Sequence, residues 1–119
     1  MKIAISSTGR DLESQVEPRF GRAPYLIIVD TKSMEFEAVD NTANANAFKG
    51  AGIQAAATVS RKGAKALLTG YCGPKAFQAL DASKIKVAND VSGKVKDAVE
   101  AYNSGRISFS DNPNAEAHW

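Results

Sequence analysis

The sequence predicts a mixed α/β domain with five strands and three helices. Three observations support this fold class. An uninterrupted apolar run at 25–29 is typical of a central strand, and the alternation of apolar and charged residues at 34–39 is typical of a half-exposed strand paired with it in a hairpin. One helical face is marked by apolar residues at positions i, i+3, i+4 and i+7, namely Val95, Ala98, Val99 and Tyr102. The predicted order is β-β-β-α-β-α-β-α.

The first half of the chain supplies three strands and a long loop. Residues 2–6 form the first strand, and residues 7–24 form a polar loop that glycine and proline punctuate. Loops of this length in compact domains are often functional. The second and third strands follow at 25–29 and 34–39, joined by a turn at 30–33.

A polar, asparagine-rich stretch at 40–49 precedes the first predicted helix. Gly50 opens this helix, which continues to about residue 62. Its predicted apolar stripe contains Ile53, Ala56 and Ala57, with Val59 adding bulk.

The remaining elements follow glycine and proline signals. Strand four is predicted at 66–69 and a helix at 74–82, where Pro74 suits the first helical position. Strand five is predicted at 85–88. The last helix is predicted to be capped by Ser92 and to end at Gly105.

The connections predict the order of the strands in the sheet. Right-handed crossovers after strands three and four place the later strands on the other side of strand one. The resulting order, 3-2-1-4-5 with helices on both faces, is that of ribonuclease-H-like folds. We expect residues 1–108 to form one domain and residues 109–119 to form a weakly ordered tail.

Composition sets bounds on the function. The chain has 119 residues, a net charge of +2 and one cysteine. Such a small charge gives no indication of nucleic acid binding. The single cysteine fits a reducing compartment, and the sequence shows neither a signal peptide nor a bilayer-spanning run. We therefore expect a cytoplasmic protein that binds neither nucleic acid nor membrane.

Three segments are predicted to meet at one edge of the sheet, near the switch point where α/β folds collect ligands. The first is a loop with two arginines, the second a glycine-rich helix start, and the third a glycine-bracketed turn between strand and helix. The predicted binding residues are Arg19, Phe20, Gly21, Arg22, Gly50, Ala51, Gly52, Ile53, Gly70, Tyr71, Cys72, Gly73 and Lys75.

These residues predict the chemistry of the ligand. Backbone N–H groups, helix N-termini and guanidinium groups favour a polyanion. Phe20, Ile53 and Tyr71 add apolar contact and exclude water. A site that is both cationic and apolar suits a large, soft anion better than a small hydrated one.

Cys72 lies at the predicted start of a helix, a position that favours a thiolate, and it is the one candidate metal ligand. One thiolate does not make a structural metal site, which needs about three or four ligands. His118 is the only histidine and lies in the tail beside Trp119, where we expect an exposed terminal residue.

Catalysis has little support in the sequence. No cysteine–histidine pair has useful spacing, and no P-loop is present. A ribonuclease-H nuclease needs clustered carboxylates for two metals, but strand one carries Ile3, Ala4 and Ile5 at the expected position. We therefore expect a protein that is not an enzyme.

Three motifs resemble the nitrogenase iron–molybdenum cofactor biosynthesis family, which includes NifX-like carriers and the C-terminal part of NifB-like proteins. They are SQVEPRFGRAPY at 14–25, GAGIQAA at 50–56 and TGYCGPKAF at 69–77. The resemblance covers about residues 1–108. It implies a ribonuclease-H-like fold and the carriage of a preformed metal–sulfur cluster, with donor or acceptor proteins as partners. Within the family the sequence is most similar to a protein with a molybdenum–copper sulfide cluster, so a cluster of that type, a related thiomolybdate or an iron–molybdenum–sulfur cluster is implied.

One departure from the family pattern affects the mode of binding. Many relatives have a histidine before Phe-Gly-Arg that is a proposed cluster ligand, and this chain has Arg19 there. We therefore favour largely non-covalent capture of an anionic cluster. Two alternatives stay open: a regulatory anion- or nucleotide-binding module, based on the same glycine turns, and a metal-dependent nuclease, based on fold analogy alone and disfavoured.

Overall fold

The computed structural model describes residues 1–112, which form a five-stranded mixed sheet with helices on both faces. The strands are β1 (Lys2–Ser7), β2 (Tyr25–Asp30), β3 (Phe36–Asp40), β4 (Ala66–Leu68) and β5 (Lys86–Ala88). The helices are α1 (Thr42–Ala45), α2 (Ala51–Arg61), α3 (Pro74–Ala82) and α4 (Val95–Asn103). The predicted fold class is confirmed, and the short helix α1 is an addition to it.

The order of the strands is β3-β2-β1-β4-β5, as the connections predict. β1 pairs antiparallel with β2 and parallel with β4, so Ile5 lies between Ile27 and Leu68. β2 pairs antiparallel with β3, and β4 pairs parallel with β5. The central strand is therefore the point where the sheet changes from antiparallel to parallel pairing.

Alternate residues of β1 contribute to two separate cores, because successive side chains of a strand point to opposite faces. Ile3 and Ile5 pack in the core that contains Val95 and Val99 of α4. Ala4 packs in the core that α2 and α3 cover, together with side chains such as Leu67, Leu80 and Phe20. None of the helices within residues 1–112 is long and apolar enough to cross a membrane.

The predicted apolar face of α2 is correct at Ala56 and Val59 and wrong at Ile53 and Ala57. Ala56 is buried, but Ile53 is 42% exposed and Ala57 is also exposed. The buried face consists of Ala51, Ala55, Ala56 and Val59. Small residues occupy this face because α3 approaches closely: a Cβ on Gly52 would lie 3.0 Å from Cβ of Ala76.

Ser92 does not cap α4, which begins after Lys94 and has no side-chain cap. Backbone carbonyls of the 7–24 loop take over this role. The N–H of Val95 donates to the carbonyl oxygen of Ser14 at 2.8 Å, and the N–H of Lys96 donates to that of Leu12 at 2.9 Å. These long-range bonds satisfy two N–H groups of the first turn, which in other helices often donate to a capping side chain.

The part of the tail within the described range contacts the domain. The ring of Phe109 meets that of Tyr102 edge to face at 6.2 Å, and the N–H of Ser110 donates to the carbonyl oxygen of Val87 at 2.7 Å. Phe109 and Ser110 are thus in contact with α4 and β5. His118 and Trp119 lie outside the described residues.

Candidate functional site

The three predicted segments enclose one cavity of about 540 Å³, formed by loop 19–22 and by the starts of α2 and α3. All the predicted binding residues line it except Gly70 and Cys72. The sequence analysis missed four further lining residues, which are Phe48, Lys49, Pro74 and Ala76.

Gly70 does not line the cavity but lies against the backbone of Pro18, directly before the arginine-containing loop. A Cβ at this position would lie 2.6 Å from the Cα of Pro18, so only glycine permits this approach of the two backbones. The N–H of Tyr71 donates to the carbonyl of Pro18, and the N–H of Phe20 donates to that of Tyr71 at 3.1 Å. This short parallel bridge fastens the arginine-containing loop to the turn after β4.

Both helices that point at the cavity begin without a side-chain cap. Gly50 precedes α2 with a left-handed φ of 80°, and Gly73 precedes α3 in an extended conformation. Neither helix has an acidic residue in its first turn. The first N–H groups of a helix point outward along its axis and carry partial positive charge. The two helix starts therefore direct hydrogen-bond donors at the same space.

The charged side chains of the cavity have one sign. Arg19, Arg22, Lys49 and Lys75 line it, and no lining residue within the described part of the chain is acidic. Arg19 is 53% exposed, and its Nε lies 3.4 Å from Oε1 of Glu17, a weak pairing that leaves the guanidinium accessible. The cavity thus has an excess of positive charge.

Arg22 lines the cavity and is also hydrogen-bonded to the protein itself. Its Nη1 donates to the carbonyl oxygen of Ala45 at 2.9 Å and to that of Ala47 at 2.6 Å. These bonds attach the segment after α1 to loop 19–22. Arg22 contributes charge to the cavity wall, but its donors at Nη1 are already occupied by the protein.

Two asparagines of the 40–49 stretch complete this attachment. The side chain of buried Asn41 donates to the carbonyl oxygen of Ala23 at 2.8 Å, and that of Asn44 donates to the carbonyl of Ala51 at 2.9 Å. Asn44 also donates to Oδ1 of Asn41 at 3.1 Å. The sequence pattern that could have predicted this wall of the cavity is the asparagine-rich stretch directly before Gly50.

Apolar side chains surround the mouth. Ile53 is 42% exposed, Tyr71 40% and Phe48 96%. Phe20 differs from them because only 2% of it is exposed, so it forms part of the floor and packs in the core below. These three residues border one opening, whereas the other exposed large hydrophobic residues among those described, Met1, Phe36 and Phe109, do not line it.

Cys72 does not have the predicted thiolate character. It is 1% exposed and packs in the core beneath the cavity, where burial raises its pKa from the ordinary value of 9.0 to about 12. Loss of solvation outweighs the favourable helix end. Within residues 1–112, no three His, Cys, Asp or Glu residues are grouped so that they could hold a metal ion.

The chain belongs to the dinitrogenase iron–molybdenum cofactor family, whose profile matches residues 1–105. It is similar to the apo form of the orange protein from Desulfovibrio gigas, with 45% identity over 96% of both chains and a TM-score of 0.92. A candidate NifB protein from Thermotoga is 37% identical over 91% of both chains, with a TM-score of 0.79. The predicted family resemblance is therefore confirmed. A search of curated proteins finds no match.

Proposed function

We propose that this protein binds and carries a preformed, anionic metal–sulfur cluster as cargo, without catalysing a reaction on it. The observation that carries the proposal is the cavity in which two uncapped helix starts and four cationic side chains converge without an acidic residue. Membership in the iron–molybdenum cofactor family and the similarity to the orange protein support this kind of cargo.

The binding mode is largely non-covalent. Sulfides of the cluster accept hydrogen bonds from the first-turn N–H groups of α2 and α3, and each exposed helix end contributes about 0.3–1 kcal/mol. Arg19, Lys49 and Lys75 neutralise the charge of the cluster from the rim. The proposal assigns no metal–sulfur bond to Cys72, because its thiol is buried in the core and protonated at neutral pH.

The dimensions of the cavity suit a cluster or a polyatomic anion rather than a single atomic ion. Its volume of about 540 Å³ lies within the range of roughly 300–1,000 Å³ that is typical of small-molecule sites. The exposed side chains of Ile53 and Tyr71 offer apolar contact to polarisable sulfides. We propose a molybdenum–copper sulfide cluster or a related thiomolybdate as the cargo, and proteins that donate and accept it as partners.

The test is anaerobic purification from native cells, followed by elemental analysis and an optical spectrum, and titration of the apo protein with tetrathiomolybdate. We expect molybdenum or copper in the purified protein, with visible absorption from sulfide-to-metal charge transfer, and saturable binding of tetrathiomolybdate. Calorimetry with ATP and ADP is the parallel measurement. Binding of nucleotides without binding of tetrathiomolybdate would replace the proposal with a nucleotide-binding module.

A further inference from the structure

Phe48 occupies an unusual position at the mouth of the cavity. It lines the cavity, yet 96% of the residue is exposed, more than any other large hydrophobic residue among those described. A fully solvated phenylalanine makes no contribution to the core, since apolar burial is what stabilises the folded state. Packing within the free protein therefore does not explain why a phenylalanine stands at this position.

The backbone next to Phe48 is held by polar contacts to the opposite wall. Nη1 of Arg22 donates to the carbonyl oxygens of Ala45 and Ala47, so the residue directly before Phe48 is fastened to loop 19–22. The carbonyl of Ala45 is also at the end of α1, where helical carbonyls lack internal partners. The guanidinium of Arg22 thus holds the segment directly before Phe48 against loop 19–22.

We propose that Phe48 is the specificity-determining contact of the site and that Arg22 is the residue that positions it. This inference rests on the proposed function and identifies the residues that select the class of anion. With Arg22 holding its backbone, Phe48 covers a guest in the cavity and favours weakly hydrated, sulfide-rich anions over oxyanions of equal charge.

The physical basis is the difference in hydration between the two classes of anion. Helix N–H groups and the lysine and arginine side chains attract any dianion, whether its outer atoms are sulfur or oxygen. An oxyanion holds its water strongly, and a phenyl ring that displaces this water offers no hydrogen bond in return. Sulfide is polarisable and loses less hydration, so contact with the ring is favourable.

Tetrathiomolybdate and molybdate are suitable probes because both are tetrahedral dianions. The measured quantity is the ratio of their affinities, obtained by equilibrium dialysis under anaerobic conditions. We expect Phe48→Ala to lower this ratio about tenfold, as loss of the contact of one aromatic ring predicts. Phe48→Leu retains most of the ratio. Phe36→Ala is the matched control, since Phe36 is 43% exposed on β3 and does not line the cavity.

Arg22→Met tests whether Arg22 positions Phe48. The ratio of the two affinities separates this effect from the simple loss of one positive charge. Loss of positive charge weakens both dianions equally and leaves the ratio unchanged, as we expect for Arg19→Met. Loss of the two hydrogen bonds releases Phe48, so Arg22→Met lowers the ratio toward that of Phe48→Ala. In the Phe48→Ala background, Arg22→Met then has no further effect on the ratio.

The outcomes distinguish this inference from the proposed function. A wild-type protein that binds no tetrathiomolybdate contradicts both. A wild-type protein that binds it while Phe48→Ala keeps the ratio contradicts the inference alone. A ratio unaffected by Arg22→Met, in a variant whose thermal unfolding shows that it is folded, removes the positioning role. Phe48→Ala alters an exposed side chain, so it remains interpretable even where Arg22→Met does not fold.

Discussion

Gly21 lies directly against the first turn of α2, where a Cβ on Gly21 would be 2.6 Å from the amide nitrogen of Gly52 and 2.9 Å from the carbonyl carbon of Ala51. These neighbours are backbone atoms that belong to a helix and cannot move aside. The absence of a side chain at Gly21 therefore allows loop 19–22 to form one wall of the cavity.

We predict that Gly21→Ala destabilises the protein by about 1–3 kcal/mol, as is usual when a group is inserted into a packed region. It should also weaken tetrathiomolybdate binding, because the loop has to move away from α2. Urea unfolding and a binding titration measure the two effects. Gly52→Ala provides a milder comparison. Its Cβ would lie 3.0 Å from the side-chain methyl of Ala76, so we expect a smaller loss of stability. Equal stability of Gly21→Ala and the wild type would contradict the packing argument.

The accessible guanidinium of Arg19 predicts binding that depends on salt. Arg19→Met should weaken tetrathiomolybdate binding about fivefold at low ionic strength, which corresponds to roughly 1 kcal/mol of Coulomb attraction to a well-solvated charge. The difference from the wild type should shrink as salt is added. Arg61→Met, at the far end of α2, is the matched control with the same change in charge. If both variants have the same affinity at every salt concentration, Arg19 has no direct part in binding.

The buried thiol of Cys72 predicts a loss of stability at alkaline pH. Its pKa is raised from 9.0 to about 12 in the folded protein, so the folded state retains a proton that the unfolded state releases. The stabilisation is complete below pH 9 and decreases as the pH rises toward 12. The free energy of unfolding, measured between pH 8 and 11, should fall less steeply in Cys72→Ala than in the wild type. Parallel pH profiles for the two proteins would contradict the assignment.

The same substitution tests whether the thiol takes part in binding. Because the thiol is buried beneath the cavity, Cys72→Ala should change the affinity for tetrathiomolybdate by no more than about twofold, within the error of a neutral substitution. Thiol alkylation at neutral pH should be slow in the native protein and fast in urea. Complete loss of binding in a folded Cys72→Ala protein would show that the thiol is a ligand after all.

The side chain of Asn41 joins the connection after β3 to the Phe-Gly-Arg loop. Asn41→Asp keeps the shape but loses the donor to the carbonyl of Ala23, and we expect destabilisation of about 1–3 kcal/mol because that carbonyl is left without its partner. Asn103→Asp provides the comparison, since the side chain of Asn103 also donates to a carbonyl, at 3.0 Å, but is exposed. We expect it to change the stability by less than about 0.5 kcal/mol. Chemical denaturation of both variants measures the difference.

Patterns that are local in sequence predicted most of the fold. The apolar run at 25–29 and the alternation at 34–39 marked the hairpin, and the handedness of crossovers then determined the order of the strands. A glycine directly before a helix is also a local pattern. The glycine-rich starts of α2 and α3 therefore predicted two walls of the cavity.

Features that depend on distant contacts could not be predicted in this way. The face that α2 buries is determined by its contact with α3, and a face made of alanines gives a weak hydrophobic signal, so the assignment of Ile53 to the buried stripe is wrong although its assignment to the cavity agrees with the lining. Arg22 resembled a free cation because its acceptors are carbonyls more than twenty residues away. Phe48 was overlooked because an exposed aromatic residue in a polar stretch has no periodic pattern.

The cavity is assembled from three parts of the chain, at 19–22, 48–53 and 71–76. A guest that contacts all three has a complete site only in the folded chain. By mass action, occupancy at a hundredfold excess over Kd adds about 2.7 kcal/mol to the free energy of unfolding. The melting temperature therefore rises with guest concentration, and amide hydrogen exchange slows throughout the sheet. Under the proposed function, cargo release and resistance to proteolysis are then linked: a protein that has delivered its cluster is also the form that is degraded more readily.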